Sequence, residues 1–334
     1  MHRIQPIHIL IAFLWPGLSV PTSAQLDIQV SVKFILSDGG ARPTGAIDTD
    51  AEVQAQIDLA NQILDSTERG YRLDLVEIID LPGQGGFYDA EITNSNKESL
   101  ESFAKLFPQV FIWRSNSINI YINNDDGSGI CSFPGAGDDL ILLGQAVGTT
   151  TILHEIGHYF DLCHTQGCPC GSCDSEDTGE CHDTPANDGI SDTLPDLQCW
   201  FQNDIAQWTY GSNYGALSVA RQNLVDDVFF NVMSYHSNRS VLTDDQMDVF
   251  TDLANDIRNS VVTGQTWFVD GSANTISPTG SSQLPFQNVL DGIFVASNDD
   301  IVLIRTGTYN EFLILNQPVT IRASRGLVRI GTSN

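Results

Sequence analysis

From residue 26 the chain alternates apolar and polar positions. Ile28, Val30, Val32, Phe34 and Leu36 fall on one side of an extended run and predict a strand with one buried face. Asp38, Gly39 and Gly40 then turn the chain. Over residues 48–64 the period changes: Val53, Ile57, Ala60, Ile63 and Leu64 recur at helical spacing, with Thr49 or Asp50 placed to cap the first turn. A second strand is predicted over 71–79, a helix over 95–107, and short strands over 110–113, 118–122 and 141–143, with a polar loop at 123–129. A long helix starts near Thr149. Another is predicted over 243–260, with Thr243 as cap and Asp244 and Asp245 in its first turn. Strands alternating with helices in the N-terminal half predict an α/β or α+β layer, and the whole pattern is assigned to the α+β class.

The two ends read differently. His2 and Arg3 precede an apolar run over 7–20, and Thr22 and Ala24 follow, which predicts a signal peptide over 1–24 cleaved before Gln25. Pro16 and Gly17 interrupt that run, which is too short to span a membrane comfortably. The mature protein is therefore expected to be secreted, extracellular and without membrane insertion. A catalytic unit over 25–262 would follow directly, with no propeptide evident. Composition changes near Gly264. The strand-like IVLIR at 301–305 and VTIRA at 319–323 lie 18 residues apart, and 328–330 reads as the start of another strand. Such spacing predicts the first coils of a parallel β-helix over 267–334. One or two coils cannot bury a solenoid core, so the pattern reads as a fragment.

The chain of 334 residues carries 15 Lys/Arg against 42 Asp/Glu, a net charge of −27. That surface repels phosphate backbones and argues against nucleic acid as a partner. It also suggests calcium binding or a solubilising face. Of seven cysteines, Cys163, Cys168, Cys170, Cys173 and Cys181 crowd together, with Cys131 and Cys199 apart. In an exported chain these predict disulfides that staple an irregular loop over 165–200, although Cys170 and Cys173 also form a CxxC that could hold metal. The odd count leaves one thiol over.

The candidate chemistry is concentrated in HEIGHYFDLCH, residues 154–164. Positions i and i+4 of a helix project from one face, so His154 and His158 can grip one cation. Glu155 is about 100° further round, beside the metal rather than on it, where it can take a proton from water. To bring His164 to the same ion the helix must stop, through a residue that tolerates the left-handed region; Asp161 stands there instead of glycine. Three nitrogen ligands and an open position describe a catalytic zinc site. Beyond it, NVMSY at 231–235 could set Met233 beneath the metal and Tyr235 beside it.

HExxHxxDxxH and NVMSY together resemble the metzincins, and among them the pappalysin (cytophagalysin-like, ulilysin-type) family. The resemblance spans roughly residues 27–260. INIYI at 118–122 and DGISDTLPD at 188–196 are similar to that family's pattern. The resemblance implies a twisted sheet with a zinc helix and Met-turn. It implies His154, His158 and His164 as zinc ligands, Glu155 as general base, Tyr235 on the oxyanion and Met233 as the Met-turn. Protein or peptide substrates follow from it, and so does structural calcium near Asp183, Asp188, Asp192 and Thr193. The C-terminal stretch is similar to the opening of pectate-lyase-like right-handed β-helices.

Two other classes fit parts of the sequence. A carbohydrate-acting or carbohydrate-binding β-helix protein with an inactive front module would lack part of the zinc set, yet all of it is present, and the β-helix part shows no acid pair. A calcium-dependent adhesion module would carry no zinc. Cleavage specificity and oligomeric state are not legible, although acidic pocket walls would favour basic side chains.

Overall fold

The computed structural model describes residues 25–131, 133–134, 139–166, 187–197, 200–297, 300–315 and 319–331. The predicted signal segment, the fourfold cysteine run from Cys168 to Cys181, Cys199 and Asp183 lie outside them. Cys163 is buried and disulfide-bonded.

Five strands form the main sheet in the order β2-β1-β3-β5-β4: β1 Leu26–Ile35, β2 Tyr71–Leu81, β3 Ile118–Ile122, β4 Gly129–Cys131 and β5 Leu140–Leu143. All neighbours run parallel except β4, which pairs antiparallel with β5 at the outer edge, Ile130 opposite Leu142. The strand predicted to bury one face buries both. Ile28, Val30, Val32 and Phe34 join Ile118, Ile120, Ile122, Ile141 and Leu143 in one core. On the opposite face Ile35, Tyr121, Leu140 and Leu142 join a second. A parallel sheet covered on both sides leaves an interior strand such as β1 no solvent face.

Helix α1, Asp50–Ser66, opens with the capping box that Thr49 and Glu52 make reciprocally, and it buries Val53, Ile57, Ala60, Ile63 and Leu64 in the first core. The short α2, Gly85–Tyr88, precedes α3, Asn94–Leu106, capped by Thr93. Leu100 and Ala104 of α3 cover the second face. The metal-motif helix α4, Thr151–Tyr159, is buried along its whole length beneath the first face. Helices α5, Gln202–Tyr210, and α6, Val219–Phe229, form a small cluster of their own through Ile205, Ala206, Val225 and Val228. Helix α7, Asp244–Asn255, starts at the predicted cap Thr243 and sets Phe250 4.0 Å, ring to ring, from Phe160 at the end of α4. Truncating a fully buried Ile or Phe of this layer to Ala costs about 2–5 kcal/mol.

Residues 110–113 are not the strand their apolar run predicts. Val110 and Phe111 donate back to the Phe107 carbonyl, Trp113 to that of Pro108, and Ile112 takes φ +51°. Closing that tight loop leaves no ladder for a strand.

At the C-terminal end β6 Thr266–Val269, β7 Ile301–Tyr309 and β8 Thr320–Ile330 pair in parallel, Thr266 opposite Ile301 and Ile301 opposite Thr320. Residues 328–330 continue β8 past an irregularity rather than beginning a further strand. Among the described residues this is one three-stranded sheet, with α8, Val289–Val295, packed on it through Val289 and Ile293. Phe268, Ile301 and Leu303 belong to the same core as α1 and β1. The approach is close at Gly70, φ +88°, where a Cβ would lie 2.6 Å from Ile301 Cδ1.

Candidate metal centre

Helix α4 ends in a hydrogen-bond pattern that shapes the site. Asp161 N–H donates to the His158 carbonyl at 2.9 Å and Leu162 N–H reaches back to Gly157 at 2.9 Å, a Schellman motif with Asp161 at its left-handed position, φ +69°. The turn redirects the chain so that His164 faces α4. His154 Nε2 lies 3.2 Å and His158 Nε2 3.0 Å from His164 Nε2, and one ligand atom from each ring lies within 4.8 Å of the others. Among the described residues this is the one group of three or more metal-ligating side chains.

The second ring nitrogens show what the first are for. His154 Nδ1 lies 2.8 Å from the Val232 carbonyl and His158 Nδ1 2.7 Å from that of Leu162. A carbonyl only accepts, so both Nδ1 atoms carry the hydrogen and both Nε2 atoms present lone pairs inward. At most one proton can then lie among three converging nitrogens. Lone pairs this close repel unless a cation stands between them, and tetrahedral zinc at about 2.0–2.1 Å from each nitrogen sets its ligands roughly 3.3 Å apart. The donor set fits zinc. Burial, and for His154 and His164 the neighbouring positive charges, hold the imidazoles below their ordinary pKa; His158 falls to about 4. Neutral rings are the ligand form.

Glu155 is buried beside His154 and makes no hydrogen bond among the described residues. Burial pushes its carboxyl up to about 8, against the pull of the Arg239 and Lys97 charges. Such a group needs a further cation nearby to ionise at neutral pH. The edge strand β4 runs past it: a Cβ on Gly129 would stand 3.0 Å from Glu155 Oε1.

Met233 is fully buried under α4, in a turn organised by Asn231. The Asn231 side chain accepts from Met233 N–H at 2.9 Å and donates to Gln246 of α7 at 2.9 Å. Tyr235 is 40% exposed, its ring centred 4.6 Å from that of His164 and 6.0 Å from that of His154. The structure thus brings together His154, Glu155, His158, His164, Met233 and Tyr235.

Of the residues predicted to hold calcium, Asp188, Asp192 and Thr193 lie among the described residues. Asp188 accepts from Thr193 Oγ1, from Ile190 N–H at 3.0 Å and from Gln246 Nε2 at 3.0 Å. Asp192 accepts from Thr243 Oγ1 at 2.7 Å and Asp245 N–H at 2.9 Å, fastening this loop to the start of α7.

Sequence reasoning missed three features. Asp196, fully buried, accepts from His236 Nε2 at 3.0 Å and Thr165 Oγ1 at 3.3 Å, which ties the segment after His164 to the Met233 turn. Gly129 lines Glu155. Arg239 sets Nη1 3.1 Å from His154 Nδ1 and donates to the Ser234 carbonyl at 3.1 Å. SYHSNRS reads as polar loop, so no periodic signal marks either side chain; their distance from Met233 in sequence was the only available hint.

No protein-family model matches the chain, and no curated protein matches it. Among solved structures, mirolysin in complex with compound 9 aligns at 18% identity and a TM-score of 0.43, over 72% of this chain and 96% of that one. A chaperone–substrate complex aligns at 16% identity and a TM-score of 0.31, over 44% and 28%. At those values neither likeness decides the chemistry. What the histidines and Glu155 can do follows from where they sit.

Proposed function

We propose that the protein is a secreted zinc-dependent endopeptidase of the metzincin type, with His154, His158 and His164 as ligands and residues 25–262 as the catalytic unit. The observation that carries this reading is the convergence of three imidazoles, two with their lone pairs turned inward by carbonyl partners, beside a buried carboxylate with no hydrogen-bond partner among the described residues. When bound, zinc supplies Lewis acidity, polarising a carbonyl and lowering the pKa of its water towards about 7. Glu155 takes the proton of the attacking water and hands it to the leaving amine. Tyr235 turns its hydroxyl to the developing oxyanion. The sheet ends at β4, which passes Glu155 at Gly129, and its outer edge can take an extended peptide as an added strand.

The test is metal analysis with a casein assay. The purified chain should hold about one zinc per chain, and a zinc-selective chelator should stop hydrolysis. Glu155→Ala should keep the zinc and lose at least about a hundredfold in rate. Undiminished hydrolysis by that variant would falsify the proposal.

A further inference from the structure

Arg239 is a cation in an unusual position for so acidic a chain. Arg42, Arg69, Arg114, Arg258 and Arg305 each pair with a carboxylate. Arg239 makes no ion pair among the described residues, the Glu155 carboxylate acting on it only at longer range, although the chain has 42 acidic side chains to 15 basic ones. It stands on the loop that leaves Met233, which doubles back through Asn238 at φ +61°. One nitrogen, Nη1, is fixed by the Ser234 carbonyl at 3.1 Å and lies against the ring of His154. Because His154 Nδ1 already donates to Val232, that ring offers the guanidinium no acceptor. Nε and Nη2 make no hydrogen bond among the described residues. Beside them is Gly148, where even a Cβ would keep 3.6 Å from Nη2. The residue is only half-buried. A fork held at one prong and open at the others is set to receive a planar, two-oxygen acceptor.

We propose, resting on the peptidase reading, that Arg239 is a specificity determinant that selects substrates with a carboxylate next to the scissile bond. The net charge of the protein points the other way, towards basic partners. A fixed cation a few ångströms from the ligand histidines outweighs charges spread over the surface, because those are screened within about 10 Å in ordinary salt. The carboxylate can come from an Asp or Glu side chain or from a peptide C-terminus. The chemistry recognised is the same.

The experiment uses the zinc-loaded chain and one peptide sequence carrying Glu, Gln or Lys at each position flanking the bond, with free or amidated C-terminus. Cleavage is read as kcat/KM. Binding of the same peptides to zinc-loaded Glu155→Gln, alone and combined with each Arg239 change, is read by fluorescence anisotropy. The parent should favour Glu over Gln by about 10–100-fold in both readouts, the range of a charge-assisted hydrogen bond. Arg239→Lys should keep part of that preference, Arg239→Ala should abolish it, and Arg239→Glu should favour Lys. Preference confined to free C-termini would assign the carboxylate to the chain end, and preference in amidated peptides to the side chain. Zinc content and melting temperature of each variant report whether the site is intact, and Arg239→Ala decides if Arg239→Glu does not fold. A parent that cleaves without charge preference, or a preference that survives Arg239→Ala, overturns the role of Arg239 alone. A parent that cleaves nothing overturns the peptidase reading and this proposal with it.

Discussion

Gly157 and Met233 share one space: a Cβ on Gly157 would lie 2.4 Å from the Met233 sulfur and 3.0 Å from its terminal methyl. The glycine inside HEIGH is therefore the hole into which the methionine fits. Gly→Ala in a helix interior normally adds about 1 kcal/mol of stability. Here overpacking at a fully buried contact should reverse the sign, and Gly157→Ala should lose about 1–3 kcal/mol. Denaturant unfolding of Gly157→Ala, Met233→Ala and the double variant checks this. The double variant should be more stable than the sum of the singles predicts, and simple additivity would exclude a direct contact.

Asp161 takes the left-handed conformation on which the path to His164 depends. Asp161→Gly should bind zinc as the parent does. Asp161→Val should lose about 1–2 kcal/mol, since a β-branched residue resists that region, and its zinc affinity should fall because His164 is misplaced. Competitive zinc titration with a chromogenic chelator separates the two variants.

Zinc should raise the melting temperature by several degrees when present at about a hundred times its Kd, equivalent to about 2.7 kcal/mol of folding free energy. On the proposed assignment, in which only the first of the two is a ligand, His158→Ala should abolish that shift and Glu155→Ala should retain it. Differential scanning calorimetry with and without chelator reads the effect independently of any enzyme assay.

Lys33 gives a pH dependence unrelated to the metal. It lies fully buried in the interior strand β1, donating to Asn119 Oδ1 at 2.6 Å and the Ser31 carbonyl at 3.2 Å, and burial pulls its pKa down to about 7 from 10.5. Between those values the unfolded chain binds the extra proton, so stability rises with pH. Below about pH 7 both states are protonated and the buried charge weighs on the fold in full. Lys33→Met should therefore be more stable than the parent by about 2–4 kcal/mol at pH 6, with the gap closing towards pH 10.5. Urea unfolding of both proteins across that range reads the gap; one that widens with pH would contradict the assignment.

Local signals carried well from sequence to structure. Thr49 and Thr243 cap the helices they were expected to cap, 118–122 is a strand end to end, and the turn after His158 closes on Asp161. Each depends on neighbours within a few residues. What was hidden depends on partners far along the chain. Whether β1 buries one face or two is decided by α3, more than fifty residues later. Helices α5 and α6 bury few apolar residues, so their period is faint, and β4, with three residues, is too short to show one. Asp196 and His236 are forty residues apart and meet only after folding.

The placement of Phe268, Ile301 and Leu303 in the core that holds Tyr71 and Phe250 limits how the protein can be cut down. Expressing the half with the three histidines alone, ending ahead of Thr266, would leave that oily seam bare to water. The shortened product would tend to clump rather than stand alone, so the last strands serve the half that carries the histidines as a lining.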